Sequence, residues 1–303
     1  MNAGAVERAV EILRAGGLVA IPTETVYGLA ADPENPDAVA RLYAVKGRPA
    51  DHPLILHALD IGACEGWAVI DERLHLLAAR FWPGPLTVVA ARGARTPASI
   101  TGGQNTVALR SPAHPLARAI LAAFGAPLVA PSANRFGRVS PTTADHVRAD
   151  LGTDVDLIVD GGAAVIGVES TIVDSTSAVP AILRTGAVGA AALSDALGVP
   201  VVVRAGGDVR VPGSLPSHYA PRARLVIVDA HARETTASAH ARGGRRVGLL
   251  TLPSDPAAAA RSLYASLRAL DDDGFEVIVA TLPEDVEDNA AVRDRLMRAA
   301  APR

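Results

Sequence analysis

Four times in the first 186 residues an apolar run or helix-like stretch breaks into a short polar turn. Leu18–Ile21 runs into PTET, the stretch ending at Lys46 into KGRP with DHP close behind, Pro127–Ala130 into PSAN and then RVSP, and the glycine-rich segment after Leu157–Asp160 into VEST. No other feature constrains the fold as much. Short apolar runs closed by Pro, Gly, Ser and Thr read as strands, and helical stripes lie between them. That order predicts an α/β domain built on a twisted mixed sheet. In such sheets the loops at strand ends are where ligands sit.

The stripe Val6, Ala9, Val10, Ile12, Leu13 predicts a first helix that stops at Gly16-Gly17. Asn35-Pro36-Asp37 opens a second, with proline suited to its first turn, and Lys46 ends it. Further helices are expected over 71–82, 115–124 and 143–151, and strands over 54–56, 86–91, 106–110, 127–130 and 157–160. Runs at GVESTIVD, AILRTG and 199–203 complete this part, and the whole of PTETVYGL reads as turn. Residues 206–222 are rich in Gly and Pro and read as a linker after a first domain over 1–205. Beyond it, strands at 225–228, 247–250 and 277–280 alternate with helices near 231–241, 257–271 and 285–300. That predicts a second, smaller parallel, Rossmann-like α/β domain over 223–303.

Composition narrows the function classes. A formal net charge of −3 gives no global case for nucleic-acid binding, although a local basic patch stays open. No apolar run nears the roughly 20 residues a membrane span needs. Glu7, Arg8 and Glu11 in the first helix do not suit a signal peptide. The single cysteine, Cys64, leaves no internal disulfide and no paired-cysteine zinc site, and reads as a small buried apolar residue. A cytoplasmic protein is expected. Asp271–Asp273 reads as a solvated helix end.

Lys46 is the only lysine; every other cation in the Lys+Arg count of 29 is arginine. Lysine is a compact point charge and arginine a planar fork, so a lone lysine suggests a place the fork will not fit, such as a phosphate or a reacting oxygen. A helix-end lysine left by chance is the plain alternative. Around it the turns gather hydroxyls (Thr23, Thr25, Ser132, Ser140, Ser170, Thr171), cations (Arg48, Arg110) and an amide (Asn134). Taken singly, such residues fill turns and cap helices for backbone reasons. Together at strand ends, they predict a site for phosphate and carboxylate oxygens. The chain has no G-x-x-x-x-G-K-[ST], no strand running into G-x-G-x-x-G and no G-x-S-x-G, so phosphate loop, dinucleotide fingerprint and nucleophile elbow are all missing.

PTETVYGL, Lys46-Gly47-Arg48-Pro49, Ser132-Ala133-Asn134 and GVEST, in this order, resemble the YrdC-like threonylcarbamoyl-AMP synthases. His218-Tyr219-Ala220-Pro221, followed by a small α/β domain, is similar to the long two-domain form of that family. The resemblance implies a concave, positively charged sheet face. It implies conversion of L-threonine, bicarbonate and ATP, with Mg²⁺, to threonylcarbamoyl-AMP and pyrophosphate. The product would pass to a downstream tRNA threonylcarbamoyl transferase acting on an adenosine beside the anticodon.

Carried over by motif, Thr23, Arg110 and Ser170 are expected to hold threonine. Lys46, Thr106, Ser132, Asn134, Ser140, Arg184 and Tyr219 are expected to hold ATP, with Lys46 and Arg48 supplying catalytic charge; no metal site made by the protein is implied. Residues 212–221, PGSLPSHYAP, are expected to fold over the site as a lid that places Tyr219 against the nucleotide. The chain departs from the family at Ser217, often a lysine, at Thr185 in Arg184-Thr185-Gly186, often a proline, and at Ala30, often a glycine. Two other readings stand beside the synthase. One is a non-catalytic RNA-binding module of the same fold. The other is a carbamoyl transferase domain of the hydrogenase-maturation type, which carries paired cysteines that this chain lacks.

Overall fold

A computed structural model of the chain describes residues 3–204, 209–213 and 215–302. The expected junction of first domain and linker lies outside the described residues, as does Ser214 of the expected lid. The first domain centres on a seven-stranded sheet in the order Val202–Val203, Ala181–Arg184, Thr171–Asp174, Leu86–Ala91, Thr106–Arg110, Ile55–His57, Leu128–Val129. Parallel and antiparallel pairings alternate along it, so the sheet is mixed.

The period-two alternation of strand side chains decides what each face of the sheet does. Leu56, Leu86, Val88, Ala90, Val107, Leu109, Val173 and Ile182 face the main core under the helices. Their alternates Ile55, Val89, Ala108 and Ile172 form a second apolar patch on the opposite face, and Val211 of the linker packs onto it. On this face also stand Thr87, Arg110 and His57, paired neighbours across three strands.

A second sheet joins Val19–Ile21 to Gly28–Ala30 antiparallel and to Leu157–Ile158 parallel. Strand Gly28–Ala30 starts within PTETVYGL, the stretch read from sequence as turn, so the turn proper is 22–27. The helix Ala190–Leu197, between Gly189 and Gly198, was not expected; it is alanine-rich and buries only Leu193 completely.

The C-terminal sheet is parallel throughout, with Val277–Ala280 between Arg224–Ile227 and Val247–Leu249. Helices Arg233–Arg242, Pro256–Asp272 and Ala290–Ala300 complete the smaller α/β layer. The last helix starts five residues later than expected, because the Asp285 carboxylate accepts the amides of Glu287 and Asp288 and holds that stretch in a turn. Asp271 is not simply a solvated helix end: its two oxygens accept the amides of Arg222 and Ala223 and tie down the end of the linker. Cys64 is buried as expected, and burial pushes its thiol up to about 12.

The two domains share an apolar cluster. Val26, Val139 and Val168, from the PTET, RVSP and VEST turns, pack with Leu263, Tyr264, Leu267, Val292 and Leu296 of the C-terminal domain. At Gly167 (φ +84) an added Cβ would stand 2.5 Å from the Arg261 Cα, so helix Pro256–Asp272 lies directly on the VEST turn. Among the described residues, no helix is long and apolar enough to cross a membrane.

Candidate active site

Helix Pro36–Lys46 begins where Asn35 Oδ1 accepts the amides of Asp37 and Ala38, and it stops at Gly47 in the left-handed region. Lys46 thus falls in its last turn. The Lys46 Nζ donates to the carbonyls of Ser132 at 2.5 Å and Asn134 at 2.7 Å, clamping the PSAN turn from behind. Burial, reinforced by the charge of Arg48, holds its pKa well below the usual lysine range.

Arg48 donates from Nη2 to the Pro53 carbonyl and lies 5.5 Å from the Phe136 ring centre. Its Nε is buried with no hydrogen-bond partner, and burial brings its pKa down to about 10. The Asn134 amide donates to the carbonyls of Arg135 and Arg138, shaping the loop, while its Oδ1 is buried without a partner.

Arg110 ends the strand Thr106–Arg110. Its Nη2 donates to Glu24 Oε1 at 2.6 Å and its Nε to the Gly84 carbonyl. Nη1 has no hydrogen-bond partner among the described residues. The other Glu24 oxygen accepts the Ala113 amide. Burial works to raise the Glu24 pKa, but the charge and hydrogen bond of Arg110 outweigh it and the net shift is downward. Thr23 shares a hydrogen bond with Thr25 and donates to the Val26 carbonyl, which fixes the PTET turn. His57, beside Arg110, is fully buried, and burial, with that neighbouring charge, pushes it down to about 3.

Ser170 Oγ meets Thr87 Oγ1 at 2.7 Å and accepts from Arg184 Nη2 at 3.0 Å. Arg184 also donates to the carbonyls of Ser170 and Pro212, so its whole guanidinium staples the VEST turn to the linker. Ser140 donates to Glu169 Oε1 at 2.5 Å. Tyr219 is buried with a left-handed backbone (φ 59), the only non-glycine residue so described. A bulky residue there costs on the order of 1–3 kcal/mol and persists only where its surroundings impose it. They do: His218 lies edge-on at 4.2 Å, Tyr264 stacks at 6.0 Å and the Arg295 guanidinium sits 4.8 Å from the ring centre.

Arg48, Arg110, Ser132, Ser170, Arg184 and Tyr219, all expected from the sequence, line one cavity of about 40 Å³, with Pro212, Gly213 and His218 beside them. That is little more than one water's share of liquid, roughly 30 Å³. The linker residues Pro212, Gly213, His218 and Tyr219 form one wall of this space, which as it stands is too small for threonine or ATP. Thr23, Lys46, Asn134 and Ser140 stand behind the lining residues and shape it. Thr106 is set apart: it shares a strand face with Arg110 but lies about 13 Å along it.

Glu24, Glu169, His57, Tyr264 and Arg295 were missed. Glu24 and Glu169 were visible as the acids of PTET and VEST; Tyr264 and Arg295 had no local signal. A roomier cavity, about 1050 Å³, lies at the carboxyl ends of the three C-terminal strands and is lined by none of the expected residues.

Four polar turns converging beneath a linker, on the open face of a mixed sheet with a small parallel domain behind, define a two-domain YrdC-like enzyme. A family model for Sua5, YciO and YrdC, described as telomere recombination, matches residues 11–186. A second, described as the threonylcarbamoyl-AMP synthase C-terminal domain, matches residues 186–301. The threonylcarbamoyl-AMP synthase of Pyrococcus abyssi is 38% identical over 97% of this chain and 94% of its own length. That of Bacillus subtilis is 37% identical over 98% and 93%. The crystal structure of P. abyssi Sua5 complexed with L-threonine superposes with a TM-score of 0.93 at 37% identity, covering 97% of this chain and 94% of that one. The chain belongs to the threonylcarbamoyl-AMP synthase family.

Proposed function

We propose that this protein makes threonylcarbamoyl-AMP from L-threonine, bicarbonate and ATP, with release of pyrophosphate. The observation that carries the reading is the cavity into which Arg48, Arg110, Ser132, Ser170 and Arg184 converge beside the linker residues Pro212, Gly213, His218 and Tyr219. Its relatives are named for this synthesis.

Bicarbonate takes up a proton and loses water to give CO₂, and threonine's neutral amino group adds to that carbon and sheds a proton, leaving a carbamate. A carbamate oxygen then attacks the α-phosphorus of ATP, and pyrophosphate leaves. Such a displacement depends on positioning and on fixed charge where charge develops. Arg110 suits the threonine carboxylate: two of its nitrogens are anchored by Glu24 and Gly84, which aims the guanidinium and leaves Nη1 for the ligand. Ser170 and the PTET hydroxyls flank that end. Arg48, and Arg184 once the linker lifts from it, supply cations for the triphosphate, with the PSAN turn and Lys46 behind them. No covalent enzyme intermediate is needed.

Among the described residues no cluster of three or more acids, histidines or cysteines stands ready for a metal. Glu24 and Glu169 are both ion-paired to arginines. Mg²⁺ is therefore taken as entering on the ATP phosphates, where it offsets charge on the departing pyrophosphate. A cytoplasmic setting and hand-over to a tRNA threonylcarbamoyl transferase complete the proposal. The RNA-binding alternative is less well supported, because Lys46, Arg110 and Arg184 are buried and turned onto the protein's own carbonyls and Glu24.

The test is mass-spectrometric detection of threonylcarbamoyl-AMP from the three substrates with Mg²⁺. Folded protein that binds threonine yet forms no such product overturns the reading.

A further inference from the structure

Helix Ala290–Ala300 of the C-terminal domain turns Arg295 into the first domain, where its side chain is wholly buried. Each nitrogen of the guanidinium serves a different segment. Nε donates to Glu169 Oε2 of the VEST turn at 2.8 Å, Nη2 to the Thr185 carbonyl at 3.0 Å, and Nη1 to Asp294 of its own helix. The guanidinium also lies against the Tyr219 ring of the linker, 4.8 Å from its centre. Tyr264, from helix Pro256–Asp272, donates to the same Glu169 oxygen at 2.8 Å. The remaining Glu169 oxygen takes the Ser140 hydroxyl. Glu169 is thus held by two donors from the C-terminal domain and one from the RVSP turn, and the next residue in the chain is Ser170.

An apolar pair of similar volume would join two domains as firmly as a buried ion pair, whose attraction is largely offset by desolvation. What a forked cation adds is direction. We propose that Arg295 is a positioning residue for the first domain's active site, supplied by the C-terminal domain and acting through Glu169 and Tyr219. By fixing Glu169 it sets the place of Ser170 and Ser140. By lying against the Tyr219 ring it holds the linker in its strained form. The C-terminal domain is then part of the catalytic apparatus and no mere appendage. The inference rests on the synthase reading for its kinetic arm alone.

Glu169 is faced by Arg295 and Tyr264 from the C-terminal helices, Arg184 from the sheet, Tyr219 and His218 from the linker, and Ser140 from its turn. Of the two arginines, only Arg295 hydrogen-bonds the carboxylate; Arg184 spends its nitrogens on Ser170 and Pro212. Removing Arg295 therefore moves proton uptake by Glu169 to higher pH.

The experiment compares the full chain with Arg295→Met, Arg295→Lys and the neutral double variant Glu169→Gln/Arg295→Met. Product formation is followed against pH, and hydrogen exchange is read over residues 215–221. Arg295→Met is expected to lower kcat/KM for threonine about 10²-fold in the folded protein, with a lowered thermal midpoint because Glu169 is left buried without its cation. It should gain an acid-side loss of rate that the wild type lacks, and should exchange faster in the linker. Arg295→Lys should recover part of the rate, and the double variant should lose the acid limb. Should Arg295→Met not fold, the lysine and double variants carry the same readouts. Wild-type kinetics, pH profile and linker exchange in a folded variant would overturn the proposal while leaving the synthase reading intact. If the wild type itself forms no product, the synthase reading fails and linker exchange alone decides the role of Arg295.

Discussion

The hydroxyl oxygen of Tyr219 lies 2.0 Å from where a Cβ on Gly213 would stand. Gly213 has φ +80, so both its backbone and its missing side chain are matched to the tyrosine it meets six residues later. Gly213→Ala should push the Tyr219 ring out of its seat and spoil the linker wall of the cavity. The KM for ATP is expected to rise about tenfold or more, with extra AMP appearing from hydrolysed product. An unchanged KM together with unchanged AMP release would detach Tyr219 from the site.

Lys46→Arg should fold but turn over poorly. The Lys46 ammonium fills a buried niche between two carbonyls of the PSAN turn. A guanidinium is larger and flat, and overpacking of this kind typically costs about 1–3 kcal/mol. Displacing the turn, with its Ser132 and Asn134, is expected to lower kcat about 10²–10³-fold. Steady-state turnover and the thermal midpoint check both; turnover near the wild-type value would make the lone lysine an accident of composition.

Arg110 and Glu24 give a paired test. Arg110→Ala removes the cation proposed for the threonine carboxylate, and a charge-assisted bond of that sort is worth roughly 1.5–3 kcal/mol. Threonine affinity should fall at least tenfold, with ATP affinity changed much less. Glu24→Gln keeps the shape but sets its NH2 against either Arg110 Nη2 or the Ala113 amide, so Arg110 loses its aim and threonine should bind several-fold more weakly. Calorimetric titration of each ligand separates the outcomes; equal losses of threonine and ATP in Arg110→Ala would reduce Arg110 to a structural role.

Acid should loosen the interdomain contact at Glu169. Burial works to raise its pKa, but Arg295, Arg184 and the Ser140 hydroxyl outweigh that and hold it at about 2. The unfolded chain therefore takes up this proton first, near the ordinary carboxylate value of about 4.3. The stabilisation is fully present above that value and is lost as pH falls toward about 2, a contribution on the order of 3 kcal/mol. Urea unfolding across this window should show a steeper loss in the wild type than in the Glu169→Gln/Arg295→Met double variant. Parallel curves would assign the acid sensitivity to other carboxylates.

The strands Leu86–Ala91 and Thr106–Arg110 were legible to the residue, because Pro85 and the polar residues after Ala91 and before Thr106 bracket runs with clear β-forming content. Helix Ala190–Leu197 was not, since its alanines make no apolar stripe. The hydroxyls and cations of the site were legible because each sits in a compact turn motif. Glu24 and Glu169 sat in the same motifs and were passed over, because a site for oxyanions directs attention to donors and cations. The acids instead aim those cations. Arg295 was out of reach of local pattern: its bond to Glu169 spans 126 positions and is made by tertiary packing alone.

One consequence of the buried Lys46 concerns chemical labelling. It carries the only ε-amino group in the chain, and that amine is sealed behind the PSAN turn. Burial is what lowers its pKa, so once the turn lifts the amine is an ordinary solvated lysine, and the reagent is used at alkaline pH to find it unprotonated. An acylating reagent should therefore leave side-chain amines untouched while the turn is seated, then modify a single position whenever it lifts. The rate of that one modification is a clock for the opening of the site, readable without any substrate or assay of turnover.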